Sequence, residues 1–546
     1  MSIVMQGGGE LAASTLQAHG VDTVFTLSGG HLFPLYDGCV KHEIALIDTR
    51  HEQTAAFAAE GWAKVTRRVG VAALTAGPGV TNGVSAITSA HLNGSPVLII
   101  GGRAPQARWG SGSLQELDHV PIVASITKHA ATLPTAEVIA SGMDVALRAA
   151  RSPHRGPAFV DIPLDGWGPA DVAVPQPPNL AELAGSAPDP DAVTRVAKLI
   201  AAAQRPVLMV GGDVYWAGAE HDVLALVEAV RIPVFANDLG RGVVAADHEL
   251  AFSRARKAAF DGADLMVVAG TPLDFRLGFG AFAAPVVHLA DSPGTVAPHV
   301  ELAASIAGDL RATFAALAEQ TPGADSTDHR GARNEWIAQL RSEEQQRRAS
   351  EAERLESEAH PIDPARIYGE LRSRLARDAV VIGDGGDFVS YAGKYVDTFT
   401  PGCFLGPGPY GCLGAGTGYA LAAALAHPDR QVVVAYGDGA IGFTLGDLDT
   451  LVRHGVNVTA VIGNNGIWGL EKHPMQMIFG YDVVAELRPG TRYDEVAVAL
   501  GGHGELVEEA AGIGPALDRA LAHDGLSVVN VLTDPADAYP RSSNLG

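Results

Sequence analysis

"GDGAIGFTLGDLDTLVRHGVNVTAVIGNNG", residues 437–466, lies between and overlaps two apolar β-branched runs, "QVVVAYGDG" at 431–439 and "VTAVIGNNG" at 458–466, and both runs stop at glycine. Short continuous apolar runs of this kind read as fully buried parallel strands ending in loops. The pattern recurs in "PVLIIGG" at 96–102, "PVLMVGG" at 206–212 and "AVVIGDGG" at 379–386. Helical patterns lie between, as in "DAVTRVAKLIAAAQ", where Val193, Val196, Leu199 and Ile200 share one face. Strands alternating with helices predict an α/β chain of doubly wound parallel sheets, which bind ligands at the carboxyl ends of their strands. The glycines fall at those ends.

With 546 residues and 47% hydrophobic side chains the chain can bury about three cores. Two joints divide it. "VPQPPNLAELAGSAPDPD" (174–191) is proline-rich and ends on an Asp placed to cap the next helix, and the mixed-charge run at 321–364 reads as a solvated helix and linker. The expected domains are 1–172, 188–322 and 362–546. "MSIVMQGGGE" lacks a signal-peptide pattern and no apolar run approaches the ~20 residues of a membrane helix, so the expected address is cytoplasmic, with no membrane partner. Cys39, Cys403 and Cys412 are too few for a disulfide framework and read as buried thiols. A net charge of −23 excludes nucleic acid as a partner.

The turn Gly437-Asp438-Gly439 lets backbone N–H groups approach an anion, and the helix after it offers its positive end to a diphosphate. Asp438 supplies one hard oxygen for a divalent cation. The adjacent strand brings Asn464 and Asn465 to the same sheet edge, where an amide oxygen and a backbone carbonyl extend the coordination. Magnesium prefers six oxygens, so a diphosphate and water complete the set. The segment fits a Mg-diphosphate clamp.

The two halves, "GDG" and "NN" with 24 residues between them, join matches along nearly the whole chain. Together they resemble the thiamine-diphosphate enzymes of the acetolactate synthase, benzaldehyde lyase and 2-hydroxyacyl-CoA lyase group. The resemblance implies a pyrimidine-binding domain, a central nucleotide-binding-like domain and a diphosphate-binding domain. It implies thiamine diphosphate and Mg2+, with Asp438, Asn465 and the carbonyl of Ile467 on the metal and Gly437, Gly439, Ala440, Trp468 and Gly469 around the diphosphate. In "DTRHEQTAAFAAEGWAKVT" (48–66), Glu52 precedes a small-residue apolar helix, where a carboxylate needs a partner. The family's glutamate at this place hydrogen-bonds N1′ of the aminopyrimidine, favours its imino tautomer and so generates the nucleophilic ylide, a role suited to a partly buried carboxyl. "TAGPGVTNG" (75–83) resembles the loop beside the pyrimidine, through Pro78 and Asn82. "GPYGCLGAGTGYALAAA" (408–424) supplies Gly411 and the wedge Leu413, which bends the cofactor, and "GDGGDF" (383–388) supplies Gly386, Asp387 and Phe388 near the diphosphate.

The side chains expected above the cofactor set the substrate. "GSLQELDHVPIVASITKH" (112–129) resembles the "FQE…D…KH" segment of acetolactate synthases, so Gln115 faces substrate, with Leu114 in place of a phenylalanine. "SGGH" brings Gly30 and His31 to the cofactor, and benzaldehyde lyase carries a histidine at the latter place. Glu471, six residues beyond Asn465, has the spacing of an acid that protonates the carbanion in pyruvate-type decarboxylases. The "YPRSSNLG" tail is similar to that of the CoA lyases, whereas "FTPGCFLGPG" (399–408) lacks the arginines they carry there. The central domain resembles one that holds FAD or ADP, with Arg254, Arg256 and Arg276 as phosphate partners, but Ala290 stands where an acid is expected and Asp291 is displaced by one. The reading closest to the motifs is an acetolactate synthase-like enzyme, taking a 2-oxo acid such as pyruvate and transferring its acyl group to a second carbonyl. Cleavage of a 2-hydroxy carbonyl compound, as by a 2-hydroxyacyl-CoA lyase or benzaldehyde lyase, is the alternative. An inactive regulatory paralogue is the third reading, opposed by the presence of Glu52 and Asp438. The resemblance also implies a homodimer or homotetramer whose subunits share the site.

Overall fold

The computed structural model describes residues 6–176, 185–321 and 329–539. Three parallel sheets carry the chain. The first holds β1 (Thr23–Thr26), β2 (Ala45–Asp48), β3 (Gly70–Leu74), β4 (Val97–Arg103), β5 (His129–Thr132) and β6 (Ala158–Pro163) in the order β2-β1-β3-β4-β6-β5. The second holds β7 (Pro206–Val210), β8 (Val234–Ala236), β9 (Leu265–Ala269), β10 (Val286–Ala290) and β11 (Ala304–Ala307) in the order β8-β7-β9-β10-β11. The third holds β12 (Val380–Asp384), β13 (Phe404–Leu405), β14 (Val432–Gly437), β15 (Val458–Asn464), β16 (His503–Val507) and β17 (Leu526–Leu532) in the order β13-β12-β14-β15-β17-β16. The first and third orders are the same permutation.

In each of these two sheets the winding reverses between the first and third strands, and loops on either side of that reversal leave a crevice beyond the carboxyl ends. "SGGH" follows β1 and "TAGPGVTN" follows β3, while "GDGGDF" follows β12 and "GDGA" follows β14. Both crevices are therefore lined by the glycine-rich turns.

One helix pair joins the outer domains. In α1 (Glu52–Thr66) and α2 (Ala415–Ala426) most buried residues are small. A Cβ on Gly61 would come within 2.8 Å of the Tyr419 Cα, and one on Gly418 within 2.7 Å of the Phe57 Cβ, so the backbones touch where only glycine fits.

The joints differ from expectation in two ways. The helix Pro190–Ala202 is capped by Asp189, whose side chain accepts from the Asp191 N–H, so the cap lies two residues before the expected one and Pro190 takes the first helical position. The charged run is a brace and not a linker. Its helix Arg330–Leu355 buries Trp336, Ile337 and Leu340, and the buried Arg333 donates to the carbonyls of Ile200, Ala203 and Val230 at the ends of two helices. Glu344 accepts backbone N–H groups from Ser253, Arg254 and Ala255. Three apolar side chains and two buried charges fix a segment whose composition alone reads as solvated.

Candidate active site

In the C-terminal domain, β14 ends at Gly437 and β15 at Asn464, and parallel pairing sets Gly437 beside Gly463. Asp438, 3% exposed, accepts from its neighbour Gly439 N–H at 2.9 Å and from Gly466 N–H at 2.7 Å, which ties the two turns together. Burial pushes its carboxyl up to about 6, against the pull of those backbone donors. Among the described residues no cationic side chain is paired with it. Close by, the buried Asn464 donates to Thr491 O and Asn530 Oδ1 while its own Oδ1 has no partner. A buried carboxylate without a counter-charge suits a hard divalent cation.

The other clamp candidates surround this point. Asn465 Oδ1 accepts from the Ile467 N–H at 3.2 Å, and Ile467 is buried. The Trp468 ring occupies the space where a side chain on Gly439 would lie, and Ala440 does the same for Gly385. Asp387 Oδ2 and Asn465 Nδ2 both lie within 4 Å of where a Gly469 Cβ would be. Gly386 opens the helix Gly386–Tyr395 at φ +49. Phe388 follows, with its ring packed over Gly463 and one ring edge 3.7 Å from where a Gly437 Cβ would lie. Glu471 is exposed on the helix Gly469–Phe479 and lines, with Asp387 and His473, a cavity of about 1170 Å³ between the central and C-terminal domains.

A second group sits in the N-terminal domain. Glu52, buried at the head of α1, accepts from Asn82 Nδ2 at 3.0 Å, which ties α1 to the short helix Pro78–Asn82. His31 is buried in the turn Gly30–Leu32, 3.4 Å from Thr75 Oγ1, and burial followed by the neighbouring His119 lowers its pKa, so it is neutral at pH 7. Gln115, half-buried, takes the left-handed φ of +60 and packs its backbone and Cβ against Gly77. Leu413 is half-buried after the exposed Gly411, and its carbonyl accepts from Gln53 Nε2 at 3.5 Å. The "RSSNLG" tail lies outside the described residues.

Two anchors have no counterpart in the motif reading. Asp384, fully buried, accepts from the Gly414 and Gly416 N–H groups and so holds the turn that carries Leu413. Asp447 accepts from Arg50 N–H at 2.7 Å and Thr54 Oγ1 at 2.6 Å, pinning the start of α1 to the C-terminal domain. An Asp beside glycine at a strand end was the available signal for the first; nothing local marks the second.

Two of the three nominated arginines are held in ion pairs, and Arg256 and Arg276 line the large cavity between the central and C-terminal domains. Arg254 is paired with Glu351 and Asp397, Arg256 donates to Asn237 Oδ1 and the Arg276 carbonyl, and Arg276 is paired with Asp238 and Asp274. At the carboxyl ends of the strands stand two carboxylates, Asp213 and Asp291, bridged by His154 at 3.2–3.3 Å. Burial would lower the His154 pKa, but the two carboxylates raise it to about 10, so it remains a fixed cation. Asp291 also accepts from Thr295, and the adjoining cavity of about 300 Å³ is at the small end for even a drug-sized ligand.

The family description "Thiamine pyrophosphate enzyme, N-terminal TPP binding domain" matches residues 6–122, its central domain 193–317 and its C-terminal TPP binding domain 384–531. An acetolactate synthase large subunit of Mycobacterium tuberculosis and a probable acetolactate synthase of Mycobacterium bovis are each 56% identical over 541 residues, spanning 98% of this chain and 97% of theirs. A 2-hydroxyacyl-CoA lyase 2 of Caenorhabditis elegans is 32% identical over 97% of this chain and 90% of its own. The chain therefore belongs to the thiamine pyrophosphate enzyme family, as an acetolactate synthase-like member with all three of the family's domains.

Proposed function

We propose that the protein is a Mg2+- and thiamine-diphosphate-dependent acetolactate synthase, which decarboxylates a 2-oxo acid such as pyruvate and transfers the acyl unit to the carbonyl of a second 2-oxo acid. The buried, uncompensated Asp438 between two glycine turns is the observation that carries it. In this reading Asp438, Asn465 and the Ile467 carbonyl hold the cation, and the N–H groups of the Gly437–Ala440 turn face the diphosphate. When bound, thiamine diphosphate supplies a carbon nucleophile and an acceptor for the electrons left by CO₂. Glu52 holds a proton against the aminopyrimidine, with Asn82 fixing one carboxylate oxygen. Neutral His31 and Gln115 bind and orient the substrate carbonyl and carboxylate, Leu413 supports the cofactor from below, and Glu471 moves a proton late in the reaction. Whether the central domain holds FAD or ADP is read from a flavin band near 450 nm and from adenine nucleotide released on denaturation.

The reading includes a homodimer or homotetramer in the cytoplasm, with Glu52 of one subunit facing Asp438 of another. Apolar surface beside both half-sites supports it: Leu114 next to Gln115 is 80% exposed, Val484 beyond the Gly469–Phe479 helix is 96% exposed, and Phe33, Phe443 and Met477 are exposed as well. Contiguous exposed apolar surface marks an interaction site, and a two-fold contact would cover both patches at once. No helix among the described residues is long and apolar enough to cross a membrane.

The test supplies enzyme, thiamine diphosphate, Mg2+ and pyruvate and measures acetolactate and CO₂, with a 2-hydroxyacyl-CoA in a parallel arm. Acetolactate and CO₂ in a one-to-one ratio are expected. Carbon–carbon cleavage of the 2-hydroxyacyl-CoA to an aldehyde and formyl-CoA, with pyruvate inert, would replace the reading by the lyase one, to which His31 lends its donor.

A further inference from the structure

His119 is fully buried and lies four residues after Gln115, in a segment whose acetolactate synthase-like motif assigns it nothing. The Gly77 N–H donates to its Nε2 at 2.9 Å, so Nε2 carries a lone pair and the ring proton sits on Nδ1. Nδ1 in turn donates to Asp161 Oδ2 at 2.9 Å. That carboxylate, also fully buried, takes Arg103 Nη1 at 3.0 Å on the same oxygen, and Arg103 stacks on Trp109 3.9 Å from its ring centroid. The ring is thus fixed in tautomer and direction from behind. Gly77 is held from its other side as well: a Cβ there would lie 3.0 Å from the Gln115 Cβ and 3.1 Å from its carbonyl oxygen. Both residues are left-handed, Gly77 at φ +61 and Gln115 at φ +60, and a glutamine in this region is strained unless its surroundings hold it there. Gly77 then leads directly into the helix Pro78–Asn82, whose Asn82 donates to Glu52.

We propose that His119, oriented by Asp161, is a positioning residue: with Gln115 it forms a two-jawed clamp on Gly77 that sets the substrate-facing Gln115 and the Asn82–Glu52 contact in one rigid frame. The roles given to Gln115 and Glu52 rest on the function proposed above; the clamp itself does not. Its purpose is mechanical coupling. A shift of the 112–119 segment carries Gly77, and through it the Pro78–Asn82 helix, so substrate and cofactor residues keep register to the fraction of an ångström that catalysis demands. His119 is fully buried with both ring nitrogens already engaged, by Gly77 and by Asp161, so it acts through those neighbours.

The experiment compares wild type with His119→Leu, which fills the space without an acceptor, and His119→Gln, whose Oε1 can meet the Gly77 N–H while its NH₂ reaches Asp161. Hydrogen–deuterium exchange is followed without cofactor, and pyruvate kinetics with it. In His119→Leu, exchange at 75–83 and 112–119 should rise roughly tenfold, as for one lost hydrogen bond, with the central-domain strands unchanged. kcat/KM should fall about tenfold to a hundredfold, and His119→Gln should recover most of both. If His119→Leu does not fold, His119→Asn gives the same contrast, because its shorter amide reaches Asp161 but not Gly77. Unchanged exchange at 75–83 in a folded acceptor-less variant overturns the clamp. Raised exchange at 75–83 and 112–119 alongside a wild type inert towards pyruvate upholds the clamp and overturns the substrate reading instead.

Discussion

At Asp438 stability and function pull in opposite directions. A carboxyl buried without a cation is held near 6 only because Gly439 and Gly466 donate to it, and in the proposed function a divalent ion would supply the missing charge. Asp438→Asn keeps an acceptor for Gly466 and removes the charge. We expect the fold and Tm to survive while Mg2+-dependent thiamine diphosphate binding weakens at least about a hundredfold by calorimetry, since even partners of metal ligands cost tenfold to a hundredfold. Near-normal affinity would remove Asp438 from the clamp. Glu52 sets a different problem, because glutamine can still accept from Asn82 and the packing at the head of α1 is preserved. Glu52→Gln should therefore bind cofactor normally yet lose about 10²–10⁴ in kcat, the range of one general acid–base group. Proton NMR of the cofactor C2–H exchange separates the two effects; an unaltered exchange rate would reject the activator role.

Among the elements, the turn 411–416 shows how a strand end can set a remote side chain. Asp384 closes β12 and grips the Gly414 and Gly416 N–H groups at the start of α2, and Leu413 hangs from that grip. Burial raises its carboxyl to about 7 despite those donors, well above the ordinary value near 3.9. The folded state therefore binds the extra proton between these values. Its contribution to stability is complete below about pH 4 and is lost as pH rises through about 7. Asp384→Asn mimics the protonated form at every pH. The Tm of wild type minus that of Asp384→Asn should accordingly fall from pH 4.5 to 7.5, by the equivalent of up to about 4 kcal/mol at 1.4 kcal/mol per pH unit; a flat difference would reject the shift. The strands around this turn were legible because each is a continuous β-branched run ending in glycine, as "AVVIGDGG" is. Asp384 was readable as part of that run but not as the grip on residues 414 and 416, since the contact crosses about thirty residues and depends on sheet order. Phe388 was readable beside this turn, but the packing of its ring over Gly463 was not, since Gly463 lies on another strand of the sheet.

On the scale of the molecule, sequence periodicity announces three sheets but not how they meet, because the contacts between domains use single buried polar residues with no repeat to betray them. The charged helix Arg330–Leu355 is one such case, braced by Arg333 and Glu344. Lys64 is the most connected. Its ammonium, buried on α1, pairs with Glu60 at 2.9 Å and donates to the Tyr419 hydroxyl of the C-terminal domain, and its carbonyl accepts from Tyr215 of the central domain. Glu60 is fully buried too and accepts from Tyr419, Asn93 and Ser95, so the Lys64 and Glu60 charges at the junction of three domains are neutralised by each other and by named neighbours. Removing one partner of such a pair leaves the other as an uncompensated buried charge, at about 3–5 kcal/mol, whereas replacing both by neutral groups of similar shape is often harmless. Lys64→Met should lower the first thermal transition on the order of 10 °C. Glu60→Gln combined with Lys64→Met should restore most of that loss, because the orphan charge is gone while the amide still meets Tyr419 and Asn93. Calorimetric scans resolve the domains, and the transitions of all three should move together in the single variant. If the central domain melts at its wild-type temperature, Lys64 is a local contact of α1 and not the point at which the domains are locked.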